Sequence, residues 1–187
     1  MFLYVDTNIL ISYFNTNDRA FSETHALFAV SSLDFTTGII TLLEFESVLG
    51  RLRKSNRITF DPNVENTLRP LSPANQIRAL TKFCFNSLPI RIVPVSALET
   101  LVFNRQNYKI ENTFLISHKI CPELLLRTLD TIQIAAAVKI KHYEGIDIQY
   151  FLTNDQEILN KGNEIYSHTQ ILPISSTDLT ASLKINP

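Results

Sequence analysis

The sequence predicts an α/β fold, a three-layer α/β/α sandwich with a mainly parallel central sheet. Two patterns lead to this prediction. Short apolar runs alternate along the chain with longer segments of helical periodicity, as in consecutive βαβ units. The apolar runs carry few polar residues, which is expected of strands that helices cover on both faces. With 187 residues and 45% hydrophobic side chains, the chain can bury a core without disulfides or a structural metal.

Five short segments, most of them apolar, are the predicted strands. The first run is too short for a helix, and the third is bounded by prolines, a pattern that favours a strand. The five runs cover residues 2–5, 33–37, 89–95, 148–153 and 170–174. Because helical segments separate them, we expect most of these strands to run parallel in one sheet.

Helical periodicity fills most of the intervals between the strands. Predicted helices cover residues 9–14, 21–31, 41–54, 73–88, 130–141 and 156–160, and a further helix is expected to begin at Ser96. Residues 56–73 contain three prolines and predict a loop. Residues 108–122 have weak periodicity, which predicts a loop or a mobile element over the site.

Composition and length limit the remaining possibilities. We expect one domain over residues 1–187, with an extended helical and loop region at about 55–128. The net charge is −1, so nucleic acid would have to bind a local basic patch. Cys84 and Cys121 have no zinc-ligand spacing and favour a reducing, cytoplasmic location. No apolar run approaches about 18 residues, and Asp6 lies early in a chain start without basic residues, so neither a membrane span nor a signal peptide is expected.

Four acidic residues lie where a predicted element begins or ends. Asp6 ends the first strand, Glu44 lies in the first turn of a helix opened by Thr41, and Asp130 begins the alanine-rich helix. Asp155 follows the fourth strand. The alanine-rich helix descends about 18 Å and the fourth strand climbs back about 20 Å, so Asp130 and Asp155 should lie at one edge of the sheet. Ligands of open α/β sheets bind at the carboxyl ends of strands, where Asp6 also lies.

Each acid taken alone has a structural explanation. Thr41 and Glu44 match a capping box, and Asp130 and Asp155 are acids of the kind that cap a helix or favour its first turn. A cap is therefore the favoured interpretation of any single acid. Four acids at one edge are different, because two carboxylates 4 Å apart repel each other by about 4 kcal/mol at an effective dielectric of 20. A hard cation such as Mg²⁺ or Mn²⁺ would remove that cost.

The four acids also belong to motifs that occur in a characteristic order. The motifs are YVDTN at 4–8, TLLE at 41–44, LDTIQIAAA at 129–137 and FLTND at 151–155. The ordered set resembles that of PIN-domain nucleases, and most closely the VapC-type toxins. This resemblance implies a ribonuclease in which Asp6, Glu44, Asp130 and Asp155 are catalytic and hold Mg²⁺ or Mn²⁺. It also implies an RNA substrate, a homodimer and a small antitoxin partner. The separation between Glu44 and Asp130 is longer than is usual for compact toxins.

Further polar residues are candidates for supporting roles. Asn8 and Thr153 are predicted to orient a carboxylate, with helix capping and strand-end hydrogen bonds as the alternative. Glu157 either extends the acidic site or lies on a solvated helix face. The candidate RNA-binding residues are Arg51, Arg53, Lys54, Arg57, Lys119 and Arg127. A solvated helix end explains the run from Arg51 to Arg57 equally well.

The functional interpretation is a metal-dependent endoribonuclease, the toxin of a toxin–antitoxin pair. One alternative is a PIN-like RNA-processing or interaction domain outside a toxin system. Another is a receiver-like signalling domain, which would need a second acid beside the first strand and a lysine at a late strand end, and the sequence offers neither at 1–10 or at 152–154. The first two predicted helices are candidates for an exposed apolar surface that a partner covers.

Overall fold

The molecule is built on a parallel sheet whose strands form at the five predicted positions. The computed structural model describes residues 1–94 and 97–185. In chain order, the strands of this part of the chain are β1 (Phe2–Val5), β2 (Asp34–Gly38), β3 (Ile90–Val93), β4 (Leu98–Phe103), β5 (Gln106–Glu111), β6 (Ile148–Leu152) and β7 (Leu172–Ile174). The main sheet has the order β3-β2-β1-β6-β7 with every neighbouring pair parallel, and β4 and β5 form a separate antiparallel hairpin.

Helices cover both faces of this sheet. They are α1 (Thr7–Phe14), α2 (Phe21–Phe28), α3 (Ile39–Lys54), α4 (Pro62–Leu68), α5 (Pro73–Ser87), α6 (Asn112–Leu124), α7 (Thr128–Tyr143), α8 (Gln156–Asn160), α9 (Gly162–Thr169) and α10 (Ser176–Ser182). Within the described residues, none of these helices has the length and apolar character needed to cross a membrane.

Two apolar clusters separate the three layers. Strand side chains alternate between the faces of a sheet, so Leu3 and Val5 of β1 enter one cluster and Tyr4 enters the other. The first cluster contains buried residues of α1, α2, α3 and α5, and the second contains those of α6, α7, α8 and α9. The predicted three-layer α/β/α sandwich is therefore confirmed.

Strand order places a crevice between β1 and β6. After β1 the chain enters α1 in one layer, whereas after β6 it enters α8 in the other layer. The connections thus diverge between two neighbouring parallel strands, and ligands of α/β proteins bind at such a switch point. The five parallel strands follow the chain order 3-2-1-4-5, whereas receiver domains have the order 2-1-3-4-5, so the fold differs from that of the receiver-like alternative.

The loop predicted for residues 56–73 is wrong in part, because it contains the helix α4. Asp61 caps this helix, its side chain accepting a hydrogen bond from the backbone N–H of Asn63 at 2.8 Å. Pro62 occupies the first helical position, where a missing N–H costs nothing. The proline that indicated a loop therefore marks the start of a helix.

The helix predicted to begin at Ser96 is also wrong. Ser96 itself lies outside the described residues, and from Leu98 onward the chain forms the β4–β5 hairpin. Asn104 and Arg105 make the two-residue turn, and both have positive φ angles of 49° and 62°. Such a turn is normally signalled by Asn-Gly, which is absent here.

The segment 108–122 is not a loop. It comprises the end of β5 and most of α6. Glu111 caps α6 by accepting a hydrogen bond from the backbone N–H of Thr113 at 2.9 Å. The cap and the packing on α7 explain why a helix forms in a stretch whose sequence lacks clear periodicity.

Most apolar side chains of the first two helices are buried, and none of the large ones is fully exposed. Ile9, Leu10 and Phe14 of α1 are buried, as are Leu27 and Phe28 of α2. The expectation of an exposed apolar surface on these helices is therefore wrong. Large exposed apolar side chains occur instead on the β4–β5 hairpin and on α3 and α6, namely Leu98, Val102, Phe103, Leu43 and Phe114.

Candidate active site

Asp6 lies at the centre of the crevice, between the end of β1 and the start of α1. Its carboxylate accepts hydrogen bonds from the backbone N–H of Thr7 at 2.6 Å, from Asn8 Nδ2 at 2.7 Å and from Thr153 Oγ1 at 2.7 Å. Asn8 also accepts a hydrogen bond from the backbone N–H of Asn154 at 3.0 Å. Asn8 and Thr153 therefore contact Asp6, where the sequence predicted supporting roles for them, and they join β1 to the end of β6.

Asp6 is only 7% exposed, and burial of its carboxyl has an electrostatic consequence. Loss of solvation disfavours the charged form and raises the pKa of Asp6 to about 7. The hydrogen bond from Thr153 acts in the opposite direction, while the charges of Glu44 and Asp130 raise the pKa further. A positive charge brought to this crevice would favour the ionised form of Asp6.

Glu44 reaches the crevice from the second turn of α3. The helix begins at Ile39 after Gly38, so Thr41 is not its cap, and the predicted capping box is wrong. Thr41 Oγ1 instead accepts a hydrogen bond from Thr37 Oγ1 at 2.6 Å. Glu44 is thus free of a capping role, and its Oε2 accepts a hydrogen bond from the hydroxyl of Thr7 at 2.5 Å.

Gln133 orients Glu44 and was not identified from the sequence. It lies one turn after Asp130 on α7 and is only 1% exposed. Its Nε2 donates to Glu44 Oε2 at 2.6 Å, and its Oε1 accepts from the hydroxyls of Tyr4 at 2.6 Å and Thr41 at 2.7 Å. A glutamine on the buried face of an alanine-rich helix was the available signal, because a buried amide needs partners.

Asp130 and Asp155 face each other across the ends of two helices. Asp130 lies in the first turn of α7, and burial raises its pKa to about 6, while the charge of Arg127 opposes that shift. Asp155 caps α8, its Oδ1 accepting from the backbone N–H of Glu157 at 2.8 Å. Asp130 Oδ2 is buried without a hydrogen-bond partner, although Arg127 Nε lies 3.3 Å away as an ion pair.

All four predicted acids line one cavity of about 820 Å³. Within residues 1–94 and 97–185, no three acidic, histidine or cysteine side chains are arranged so that they could hold one metal ion together. The chemistry of the donors nevertheless fits a hard divalent cation, because the acids supply only carboxylate oxygens and Asp130 Oδ2 accepts no hydrogen bond. Side-chain movements within this cavity would be needed to gather the carboxylates around a cation.

The predicted RNA-binding residues divide into two groups. Arg51 and Arg127 line the cavity. Lys54, Arg57 and Lys119 are exposed and do not line it. Arg19, in the loop between α1 and α2, also lines the cavity and was missed because a lone arginine in a loop has no distinguishing pattern.

Arg53 has a structural role. Its guanidinium forms two hydrogen bonds with Glu65, at 2.9 and 3.1 Å, and a third with Gln76 Oε1 at 2.6 Å. It also lies over the ring of Phe60, 5.5 Å from the ring centre. Arg53 thereby attaches α4 and α5 to α3.

These positions predict a separation of effects between two neighbouring arginines. We expect Arg53→Gln to lower the free energy of unfolding by about 1 kcal/mol and to leave RNA affinity unchanged. Arg51→Gln should leave stability unchanged and weaken RNA binding, because its side chain faces the cavity. Urea unfolding and fluorescence anisotropy with a single-stranded RNA measure the two quantities. Weaker RNA binding by the Arg53 variant alone would contradict this assignment.

The pKa of Asp6 leads to a prediction for the protein freed of divalent cations. The folded-state pKa of about 7 exceeds the ordinary value of 3.8, so between these values the folded state binds more protons than the unfolded state. We therefore expect the free energy of unfolding to decrease as the pH rises from 5 to 8, by the order of a few kcal/mol. The stabilisation is complete below about pH 4 and is lost as the pH passes through 7.

Urea unfolding in EDTA at several pH values measures this slope. Asp6→Asn should reduce this slope, because the amide does not titrate, and the part due to Asp130 should remain. The control Asp147→Asn should leave the slope unchanged, because Asp147 is exposed at the opposite end of β6. A slope unchanged by the Asp6 substitution would show that Asp6 is not its source.

The fold and the crevice together define a class of molecule, a three-layer α/β protein with an acidic cavity at the switch point of its sheet. No protein-family model matches the chain, and no curated protein matches it. Among solved structures, the chain is similar to one in the crystal structure of VapBC2 from Rickettsia felis bound to a DNA fragment from their promoter. The TM-score is 0.52, the sequence identity is 13%, and the match covers 94% of this chain and 98% of that chain. At this identity the similarity shows a shared fold.

Proposed function

We propose that the protein is a divalent-metal-dependent endoribonuclease that hydrolyses RNA phosphodiester bonds. The observation that supports this most strongly is the common cavity of Asp6, Glu44, Asp130 and Asp155 at the switch point of the sheet. These acids come from four separate segments of the chain, and structural capping alone does not explain why all four face one space. Glu44 in particular caps no helix.

The four carboxylates would hold Mg²⁺ or Mn²⁺. When bound, such a cation neutralises charge on a phosphate and lowers the pKa of a water molecule. Hydrolysis forms a bond from water oxygen to phosphorus and breaks the bond from phosphorus to the leaving ribose oxygen. Asp6 and Glu44 contribute fixed negative charge, because Thr153 and Asn8 hold the first and Gln133 and Thr7 hold the second.

Donor groups around the cavity suit a phosphate backbone. The guanidinium of Arg51 and that of Arg19 line its wall. Asn154 also lines it, and Asn154 Nδ2 is buried without a hydrogen-bond partner. Positive and neutral donors of this kind position a nucleic-acid backbone without reading its sequence.

Cleavage of a labelled RNA by purified protein tests this function. We expect cleavage with Mg²⁺ or Mn²⁺, none with EDTA, and recovery when cation is restored. Calorimetry with Mn²⁺ provides a second measurement that does not depend on the choice of RNA. Mn²⁺ binding without cleavage of any RNA tested would favour the alternative of a PIN-like interaction domain, and absence of both would contradict the metal site.

We further propose that this nuclease is the toxin of a toxin–antitoxin pair, cytoplasmic and homodimeric, with a small antitoxin protein as its partner. The shared fold with a chain of the VapBC2 complex supports this proposal, as does the order of the acidic motifs. Induced expression of the wild type should arrest bacterial growth, and Asp6→Asn should relieve the arrest. Growth arrest by both proteins would show that cleavage is not its cause.

A further inference from the structure

Arg127 lies where two of the candidate metal ligands meet. It precedes α7, and its neighbours Leu124 and Leu126 are buried in the second apolar cluster, so its backbone position is fixed. Its own side chain is 66% exposed. A long and largely exposed cationic side chain is thus attached at the entrance of an acidic cavity.

The guanidinium of Arg127 contacts three carboxylates. Nε lies 3.3 Å from Asp130 Oδ2, and Nη2 lies 3.1 Å from Asp155 Oδ2 and 3.0 Å from Glu157 Oε2. Nε also donates a hydrogen bond to Glu157 Oε2 at 3.1 Å. Two of these carboxylates are candidate metal ligands, and Glu157 is not.

A divalent cation and this guanidinium require the same oxygen atoms. Oδ2 of Asp130 and Oδ2 of Asp155 are the atoms that face Arg127, and a dication bound to them would repel the arginine. Glu157 is exposed and makes two of the contacts, so it can retain the guanidinium at the rim of the cavity. From that position a planar guanidinium can form paired hydrogen bonds with a phosphate.

We propose that Arg127 is a displaceable counter-ion, which holds Asp130 and Asp155 until a divalent cation takes their oxygens and then contacts an RNA phosphate from its remaining site on Glu157. This inference rests on the proposed function. It assigns Arg127 a double role that simple phosphate binding does not require. Arg127 opposes cation binding when RNA is absent, and it contributes to RNA binding only when the cation is present.

Arg127→Gln tests the first half of this role, with Mn²⁺ alone as the probe. Calorimetry should give a dissociation constant for Mn²⁺ that is lower than that of the wild type by about tenfold, the usual size of such coupling between sites. Arg127→Lys retains a cation and should bind Mn²⁺ nearly as the wild type does. Lys82→Gln is the matched control, because it removes one positive charge from an exposed position of α5 outside the cavity.

Binding of a single-stranded RNA tests the second half, with Ca²⁺ as a cation that is expected to support binding without cleavage. In Ca²⁺, Arg127→Gln should weaken RNA binding several-fold and reduce its salt slope by about 1. In EDTA, the same substitution should leave RNA affinity unchanged, because the wild-type guanidinium is then held by carboxylates.

A displaced counter-ion is expected to give opposite effects on the two ligands. Arg127→Gln should strengthen Mn²⁺ binding and weaken RNA binding in Ca²⁺. An Arg127→Gln variant that folds but binds Mn²⁺ with unchanged or lower affinity would overturn the inference while leaving the metal site intact. Equal loss of RNA affinity in Ca²⁺ and in EDTA would overturn it too. If the wild type binds no Mn²⁺, the proposed metal site fails and this inference fails with it. A far-UV spectrum of each variant verifies that the helices form.

Discussion

Replacing Asp6 with asparagine is expected to reduce RNA cleavage by about a thousandfold or more, the largest effect of any single substitution in the crevice. The amide has nearly the shape of the carboxyl, and its oxygen can still accept from Thr153 and Asn8. It cannot supply the negative charge that a divalent cation requires from this position. Asp6 is also the most buried of the four acids, so water replaces its charge poorly.

The measurement is the single-turnover rate at saturating Mg²⁺, together with the affinity for RNA. RNA affinity should change little, because Asp6 itself does not contact the RNA in the proposed arrangement. Asp147→Asn makes the same chemical change at an exposed residue before β6 and should retain the wild-type rate. Similar rates for the two variants would remove Asp6 from the catalytic set.

Replacing Gln133 with leucine should have the largest effect on stability. The substitution keeps the approximate volume but leaves the Tyr4 hydroxyl and the Glu44 carboxylate without the amide that joins them. A buried polar group that loses its partner costs between 1 and 3 kcal/mol, so we expect a loss of about 3 kcal/mol in the free energy of unfolding. Glu44 would also lose its fixed orientation, and the affinity for Mn²⁺ should fall.

Urea unfolding and calorimetry with Mn²⁺ measure these two losses. Gln149→Leu is the control, because Gln149 is exposed on β6. Its effect on stability should stay within about 0.5 kcal/mol. If both glutamine variants were equally stable, the hydrogen bonds around Gln133 would contribute little to the fold.

The central sheet could be predicted because each of its strands has a local signal. β1 is a short apolar run followed by Asp6, β6 is another followed by Asp155, and parallel topology brings their carboxyl ends together. The positions of Asp6 and Asp155 could therefore be predicted from the location and direction of these two strands. Glu44 could also be predicted to face the same edge. Its helix, however, begins two residues earlier than predicted, and Glu44 does not form the predicted capping box.

The remaining elements depend on contacts that the local sequence does not encode. The β4–β5 turn uses two non-glycine residues with positive φ, and tertiary packing must compensate for that conformation. Arg53 belongs to the same basic run as Arg51, yet its partners lie on α4 and α5. The helix α4 was not predicted, because the prolines of residues 56–73 indicated a loop. Gln133 and its acceptor Glu44 are 89 residues apart, and only the folded chain brings them together.

The bond between Thr153 and Asp6 has a consequence for biosynthesis. These two residues are separated by 147 positions, and β1 occupies the middle of the sheet between β2 and β6. A nascent chain on the ribosome therefore contains Asp6 almost from the start of translation but cannot complete the crevice until β6 has emerged. Contacts of such long range also slow folding relative to local ones. The proposed nuclease would therefore be inactive through most of its own synthesis, because the site around Asp6 is incomplete until Thr153 and Asp155 have been added.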